Sequence, residues 1–375
     1  MQIKRTIAAS IKNHLFRGKA IIIYGPRRVG KTTLVRALLD QISASSIYLN
    51  ADEPHVAERL TNRSSGELWS FIGPHRIVVI DEAQRIENVG ITIKLLVDTC
   101  PDLQVIATGS SSFDLANKIS EPLTGRAIEY SLYPLSLEEI NSGVRPITGV
   151  SPFEPYLIHG SYPETVTRTA PKETITAIAR NYLYKDVLLF QAIRKSELLA
   201  KLLTALALQI GNEVSYTELS RTLEVDKLTV ERYISLLEAA FVIFHLRPYS
   251  RNMRQTLNRK RKIYFWDLGI RNAVIDNFNP LSMRSDAGAL WENFSVAQMI
   301  IADKNHRHDA RYFFWRSYRG AEIDLIKESG GTLQTFECKW GKKSSKIPSE
   351  WKREYPTVSH TTLSPDTLLS HTISA

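Results

Sequence analysis

The sequence predicts an α/β protein organised on a doubly wound parallel sheet, and three stretches carry that prediction. Residues 21–24, 76–80 and 103–107 are short, nearly continuous apolar runs, the pattern of strands buried on both faces. Each run ends in residues suited to a ligand: a glycine-rich loop, two carboxylates, and a run of hydroxyls. Helical patterns separate the runs. Strand–helix alternation of this kind builds a parallel sheet with its ligand at the carboxyl ends of the strands.

The first loop is the most specific. Gly25-Pro26-Arg27-Arg28-Val29-Gly30-Lys31-Thr32-Thr33 satisfies G-x-x-x-x-G-K-[ST] between a strand and a helix continuing to Leu39. Gly25 and Gly30 let the backbone curl with its amides inward, so that loop and helix N-terminus form a nest for a β-phosphate. Lys31 supplies a point charge to the β- and γ-phosphates, and Thr32 a hydroxyl to Mg²⁺. A ligand-free glycine-rich turn would not need this spacing with both flanks. The ligand expected is a nucleoside triphosphate, ATP with Mg²⁺.

The other elements extend this reading in order. Residues 3–16 form a short amphipathic helix, and residues 46–50 a second strand. The third strand ends at Asp81, placed to hold the Mg²⁺ shell, and Glu82, placed as general base for the attacking water. The alternative is a strand capped by solvated acids. At the tip of the fourth strand, Thr108 and Ser110 either sense the γ-phosphate or belong to a structural loop of small residues. Arg126 precedes a fifth strand over 127–132; it is either a finger for a neighbouring subunit's γ-phosphate or a surface salt-bridge residue.

At 375 residues the chain is long enough for two to three domains, and 43% hydrophobic with 23% charged residues is ordinary globular composition. A net charge of +9 favours a polyanionic partner. Cys100 and Cys338 stand apart without metal-ligand spacing, which fits a reducing compartment and excludes a disulfide framework. No apolar core of signal-peptide length follows the basic N-terminus, and no run approaches the roughly 20 apolar residues of a membrane helix. A cytoplasmic protein with no membrane partner is expected.

The combination GPRRVGKTT, VIDEAQR, ATGSSS and LTGRAIEYSLYPLSLEE resembles a bacterial and archaeal group of AAA+ ATPases. That resemblance runs along the whole chain. It implies an ATPase domain over 1–145 and a helical lid or linker over 146–195, with hydrolysis between subunits of a homo-oligomer. In the lid, His159 has no partner acid or cysteine in view and reads as a packed or solvent-facing side chain.

Over 196–280 the pattern is that of a winged helix-turn-helix. An apolar helical rhythm covers 198–209, Ser215 and Glu218 resemble a capping box, and Asp226 caps a further helix bearing Val230, Ile234, Leu237 and Ala240. Strands over 241–246 and 261–266 follow. The recognition helix is mixed, with Lys227 and Arg232 beside Glu231 and Glu238. Arg247, Arg251, Arg254, Arg259, Lys260, Arg261 and Lys262 lie in sixteen residues without an acid. That run suits contact with DNA phosphates, or else is a solvated loop or faces acids on another subunit.

Over 281–375, Asp324, Glu337 and Lys339 form D-x12-E-x-K, with the last two on one strand face. This matches the PD-(D/E)xK nuclease signature and resembles the C-terminal domain that follows AAA+ modules of the same group; Ile323 stands where the signature has proline. Asp324, Glu337 and helical Glu292 would hold a divalent metal, and Lys339 would assist deprotonation or bind phosphate. The alternative is an amphipathic hairpin with solvated charges. The function expected is ATP hydrolysis coupled to DNA binding or metal-dependent cleavage. Its rival is an ATP-switched, partner-binding regulator whose nuclease-like domain is catalytically inactive.

Overall fold

The computed structural model describes residues 3–110, 123–144, 151–181, 196–250, 261–341 and 344–373. The chain forms two compact units, one comprising Lys4–Tyr133 with Ala239–Phe241, the other Met1–Ile3, Pro134–Glu238 and Val242–Ala375.

In the first unit five strands, β1 (Ala20–Tyr24), β2 (Ser46–Asn50), β3 (Ile77–Asp81), β4 (Gln104–Gly109) and β5 (Ala127–Ser131), form one sheet in the order β2-β3-β4-β1-β5. All neighbours are parallel. β1, β3 and β4 are buried along their whole length, as their apolar runs require. Each isoleucine of Ile21, Ile22 and Ile23 contributes about 1.5–3 kcal/mol by leaving water. The edge strands β2 and β5 are only partly buried. Helices Ile7–His14, Lys31–Leu39, Pro54–Leu60, Ser65–Ile72 and Val89–Thr99 belong to this unit. Ser64 and Glu67 start the fourth of these with a reciprocal capping box. β4 lies between the phosphate-loop strand and the carboxylate strand, and the register Ile23↔Thr108, Ile80↔Ala107 brings all three strand tips level.

The second unit holds one seven-stranded sheet: β6 (Glu213–Val214), β7 (Ile243–Pro248), β8 (Arg261–Phe265), β9 (Arg311–Arg316), β10 (Glu322–Ser329), β11 (Thr332–Cys338) and β12 (Ser359–Leu363). Its order is β12-β11-β10-β9-β7-β8-β6. Helices Ser196–Leu208, Tyr216–Thr222 and Lys227–Ala239, then the antiparallel pair β7 and β8, follow in the order read from the sequence; the short strand β6, paired with β8, stands where that reading had only a turn. The sheet does not stop there. β7 pairs in parallel with β9 through Arg247↔Phe313 and Pro248↔Phe314, so residue 280 falls within one compact unit and one continuous sheet.

Helix Ala287–His306 is buried over most of its surface and centres a core with Phe153, Trp291, Phe294, Phe314, Leu325 and Phe336. Asn293 fastens it to β8: its amide accepts from Phe265 N and donates to Phe265 O, both at 2.8 Å. Trp291 Nε1 donates to Leu363 O of β12 at 2.8 Å. Helices Glu154–His159, Pro163–Thr167 and Pro171–Asn181 lie in the stretch read as a helical lid, of which residues 145–150 and 182–195 fall outside the described residues. There His159 stacks on Phe278, ring centres 5.8 Å apart, and burial lowers its pKa. Among the described residues no helix is long and apolar enough to cross a membrane.

Candidate functional site

The phosphate loop is shaped by two glycines for different reasons. At Gly25 a Cβ would stand 2.4 Å from Leu132 O, a carbonyl in a segment tied to β1 by Leu132 N donating to Tyr24 O at 2.7 Å. Gly30, with φ of 101°, begins helix Lys31–Leu39 from a left-handed conformation that a side chain would strain. Lys31 is buried, and its Nζ donates to Gly25 O at 2.8 Å and Pro26 O at 3.0 Å, inside the curl of the loop. Pro26 and Val29 are buried, Arg27 is half-buried, and Arg28 and Thr33 are exposed. The loop is pinned from outside by Arg5, a buried residue that sequence reasoning missed. Its Nη1 donates to Val29 O at 2.9 Å and its Nη2 to Tyr133 O at 2.6 Å.

Thr32 Oγ1 donates to Asp81 Oδ2 at 2.9 Å, so the two oxygens expected at Mg²⁺ are adjacent. Tyr48 OH also donates to Asp81 Oδ2, and Thr108 Oγ1 to Asp81 Oδ1. Burial, then the bond to Asp81, raises the Tyr48 pKa and keeps the phenol a donor. This all-oxygen pair fits Mg²⁺, which takes one or two protein oxygens and completes its shell from phosphate and water. Glu82 sits one residue beyond β3 with φ of 53°, a left-handed conformation that costs on the order of 1–3 kcal/mol and persists only where its surroundings impose it. Its amide donates to Thr108 Oγ1 at 3.4 Å. Gln84 Nε2 donates to Glu82 Oε2 at 2.5 Å and to Ser110 Oγ at 3.1 Å, tying the carboxylate to the tip of β4. Thr108 and Ser110 therefore reach the two carboxylates as neighbours on the sheet. Tyr48 and Gln84 were missed by sequence reasoning; only Gln84, two residues after Glu82, carried a local signal. Arg126 pairs with Asp98 at 2.7 Å, the surface bridge left open as one of its two readings.

The second cluster lies in the other unit. Asp324 on β10 accepts from Cys338 N of β11 at 2.8 Å. Burial, then Glu292 and Glu337, push the Asp324 carboxyl up to about 8. Lys339 Nζ donates to Glu337 Oε1 at 2.7 Å. The metal set expected from Glu292, Asp324 and Glu337 is not what these side chains form. Lys262, 1% exposed, puts its ammonium 2.9 Å from Glu292 Oε1, in an ion pair with Glu322 Oε1, and 3.9 Å from Asp324 Oδ1. Tyr264 OH donates to the same Glu292 oxygen at 2.8 Å. Among the described residues no three His, Cys, Asp or Glu side chains are grouped to hold a metal ion. As arranged, these acids do not fit a divalent metal.

The basic run also divides. Lys262 faces the acids and not solvent, Arg261 lies over the Tyr216 ring at 5.4 Å, and Arg247 is exposed. Arg251, Arg254, Arg259 and Lys260 fall outside the described residues. On helix Lys227–Ala239, Arg232 is exposed and Lys227 lies 3.5 Å from Glu231.

Comparison with known proteins bears on the fold of the first unit. Residues 17–141 match the model of an AAA domain. The first unit carries an AAA-type ATPase domain. Beyond that domain, residues 151–281 match the domain of unknown function DUF8612 and residues 287–361 the domain of unknown function DUF4143. The chain is similar to an uncharacterised protein of Mycobacterium tuberculosis, 28% identical over 344 residues, covering 90% of this chain and 74% of that one. A second uncharacterised protein, from Methanocaldococcus jannaschii, is 24% identical over 368 residues, covering 87% and 76%. A replication factor C large subunit of Methanothrix thermoacetophila is 34% identical over 72 residues, 19% of this chain and 15% of that one. Among solved structures, a Walker-type ATPase of Pyrococcus abyssi aligns over 73% of this chain and 96% of its own, with 17% identity and a TM-score of 0.49.

Proposed function

We propose that the AAA domain binds MgATP and hydrolyses it, and that the second unit couples this cycle to nucleic acid, binding it without cutting it. The observation that carries the proposal is the joined set of Asp81, Thr108 and Glu82 at the tips of adjacent strands with Thr32 at the start of the phosphate-loop helix. Lys31 and the backbone N–H groups of residues 27–33 hold the phosphates. Thr32 and Asp81 would hold Mg²⁺, which when bound neutralises charge on the β- and γ-oxygens. Glu82 takes the proton of the attacking water, and Gln84 with Ser110 fixes its carboxylate. Glu82→Gln should keep ATP affinity and lower turnover about 10²–10⁴-fold, the contribution of a general base. Turnover at the wild-type rate would reject that role.

The order helix, strand, helix, helix, strand, strand supports the winged-helix reading, and the charge of +9 with exposed Arg232 and Arg247 supports DNA as the anion. The divisions near 145, 195 and 280 are proposed as stretches of sequence, since one compact unit runs across all three. Assembly into a homo-oligomer with Arg126 as a finger requires Arg126 to leave Asp98. Steep weakening of DNA binding with salt is expected, since phosphate neutralisation releases counterions. A shallow slope would favour the rival in which the second unit binds protein.

A further inference from the structure

We propose that the Lys262 ammonium is the resident cation of the acidic centre, occupying the seat that a divalent metal would need, so that this centre is closed to metal-dependent phosphodiester chemistry. The inference concerns the second unit alone and does not depend on the ATPase reading.

The seat is built from three elements. Helix Ala287–His306 brings Glu292, β10 brings Glu322 and Asp324, and β8 brings Lys262 from the far side. Asn293, bonded both ways to Phe265, fixes the helix against β8 one residue from Glu292 and three from Lys262. The lysine stem is fully buried, with its ammonium 5.8 Å from the centre of the Phe314 ring. A solvated side chain could swing aside for a metal; this one is buried and held by its ion pairs.

The geometry also forbids sharing. A metal needs its oxygens at about 2.0–2.6 Å. The oxygen Glu292 would offer already accepts from Lys262 and Tyr264, at 2.9 and 2.8 Å. A divalent ion on that oxygen would stand within a few ångströms of a buried ammonium, a like-charge contact that low local polarity makes severe. Asp324 has its second oxygen committed to the Cys338 amide. Lys339, the cation that the sequence motif nominates, turns to Glu337 instead. The acids thus keep the chemistry of a cation site and fill it from within the chain.

The test titrates Mn²⁺ into the nucleotide-free full chain by calorimetry. It compares wild type, Asp324→Asn, Lys262→Met and the double variant. Taking the signal that Asp324→Asn removes isolates this centre from Mn²⁺ bound at the phosphate loop. Wild type should show no such increment. Lys262→Met should gain one saturable site, at least about tenfold tighter than anything lost from wild type, and the double variant should lose it. The melting temperature of Lys262→Met should fall and recover with Mn²⁺. An Asp324-dependent site in wild type would overturn the proposal, and so would a folded Lys262→Met that binds no Mn²⁺. If Lys262→Met does not fold, wild type against Asp324→Asn still decides: equal isotherms support the closed seat, and a difference refutes it.

Discussion

Arg5 offers the most searching test of how the nucleotide site is held. Its guanidinium, 7% exposed, spans Val29 O in the phosphate loop and Tyr133 O, 24 and 128 residues away in sequence. Arg5→Met keeps an apolar stem of similar length and removes both donors. Each bond to a charged donor is worth about 1.5–3 kcal/mol net, and the carbonyls left behind have no donor from this position. A loss of about 3–5 kcal/mol is therefore expected, lowering the melting transition of the AAA domain by on the order of 10 °C. Val29 sits between the two glycines whose curl forms the phosphate nest. Releasing it adds an ordering cost to binding, so the affinity for an ATP analogue should fall about tenfold, equivalent to ~1.4 kcal/mol. Scanning calorimetry with and without analogue reads both quantities. Arg5→Lys, which can reach one carbonyl, should lie between. An unchanged transition would refute the clamp, and a lowered transition with unchanged affinity would reduce Arg5 to a purely structural role.

Other outcomes follow from single contacts. Gly25→Ala places a methyl 2.4 Å from a backbone oxygen, which no rotamer can relieve, so analogue binding should fall more than about 100-fold; near-normal binding would contradict the loop geometry. Thr108→Val removes the donor to Asp81 and the acceptor for the Glu82 amide, and turnover should drop about tenfold or more with a smaller change in affinity. Asp267 accepts from Ser161 N and Ile270 N, yet burial raises its pKa to about 6. A raised folded value means the folded chain holds this proton more tightly. The stability it contributes is full below about pH 4 and is lost as pH rises through about 6, by at most ~1.4 kcal/mol per pH unit. Urea titrations of wild type and Asp267→Asn should show the gap between them closing from pH 4 to 7; a constant or widening gap would contradict this.

The strands of the AAA domain were legible because burial on both faces writes itself as unbroken apolar sequence, as in Ile21–Ile23 and Val78–Ile80. Gly25, Lys31, Thr32, Asp81 and Glu82 were picked out by local spacing, and the fold sets Thr32 beside Asp81. What no local pattern carries is lateral order. That β4 lies between β1 and β3, and so brings Thr108 onto Asp81, depends on pairing between segments far apart in the chain. Arg5 was illegible for the same reason. Lys262 shows the opposite failure. It ends a run of cations and reads as one more wing charge, but the pleat of β8 and the docking of helix Ala287–His306 turn it inward onto Glu292 and Glu322. Asp324, Glu337 and Lys339 were found by spacing, while their pairings were decided by a neighbour the motif does not include.

The central claim is that the curled N–H groups of residues 27–33 and the Lys31 ammonium bind a triphosphate. A fluorescent ATP analogue titrated into the full chain with Mg²⁺ tests it directly. Saturable binding is expected, displaced by unlabelled ATP and abolished in Lys31→Ala while the fold is kept. Binding that survives in Lys31→Ala, or a folded wild type that binds no nucleoside triphosphate, would contradict it.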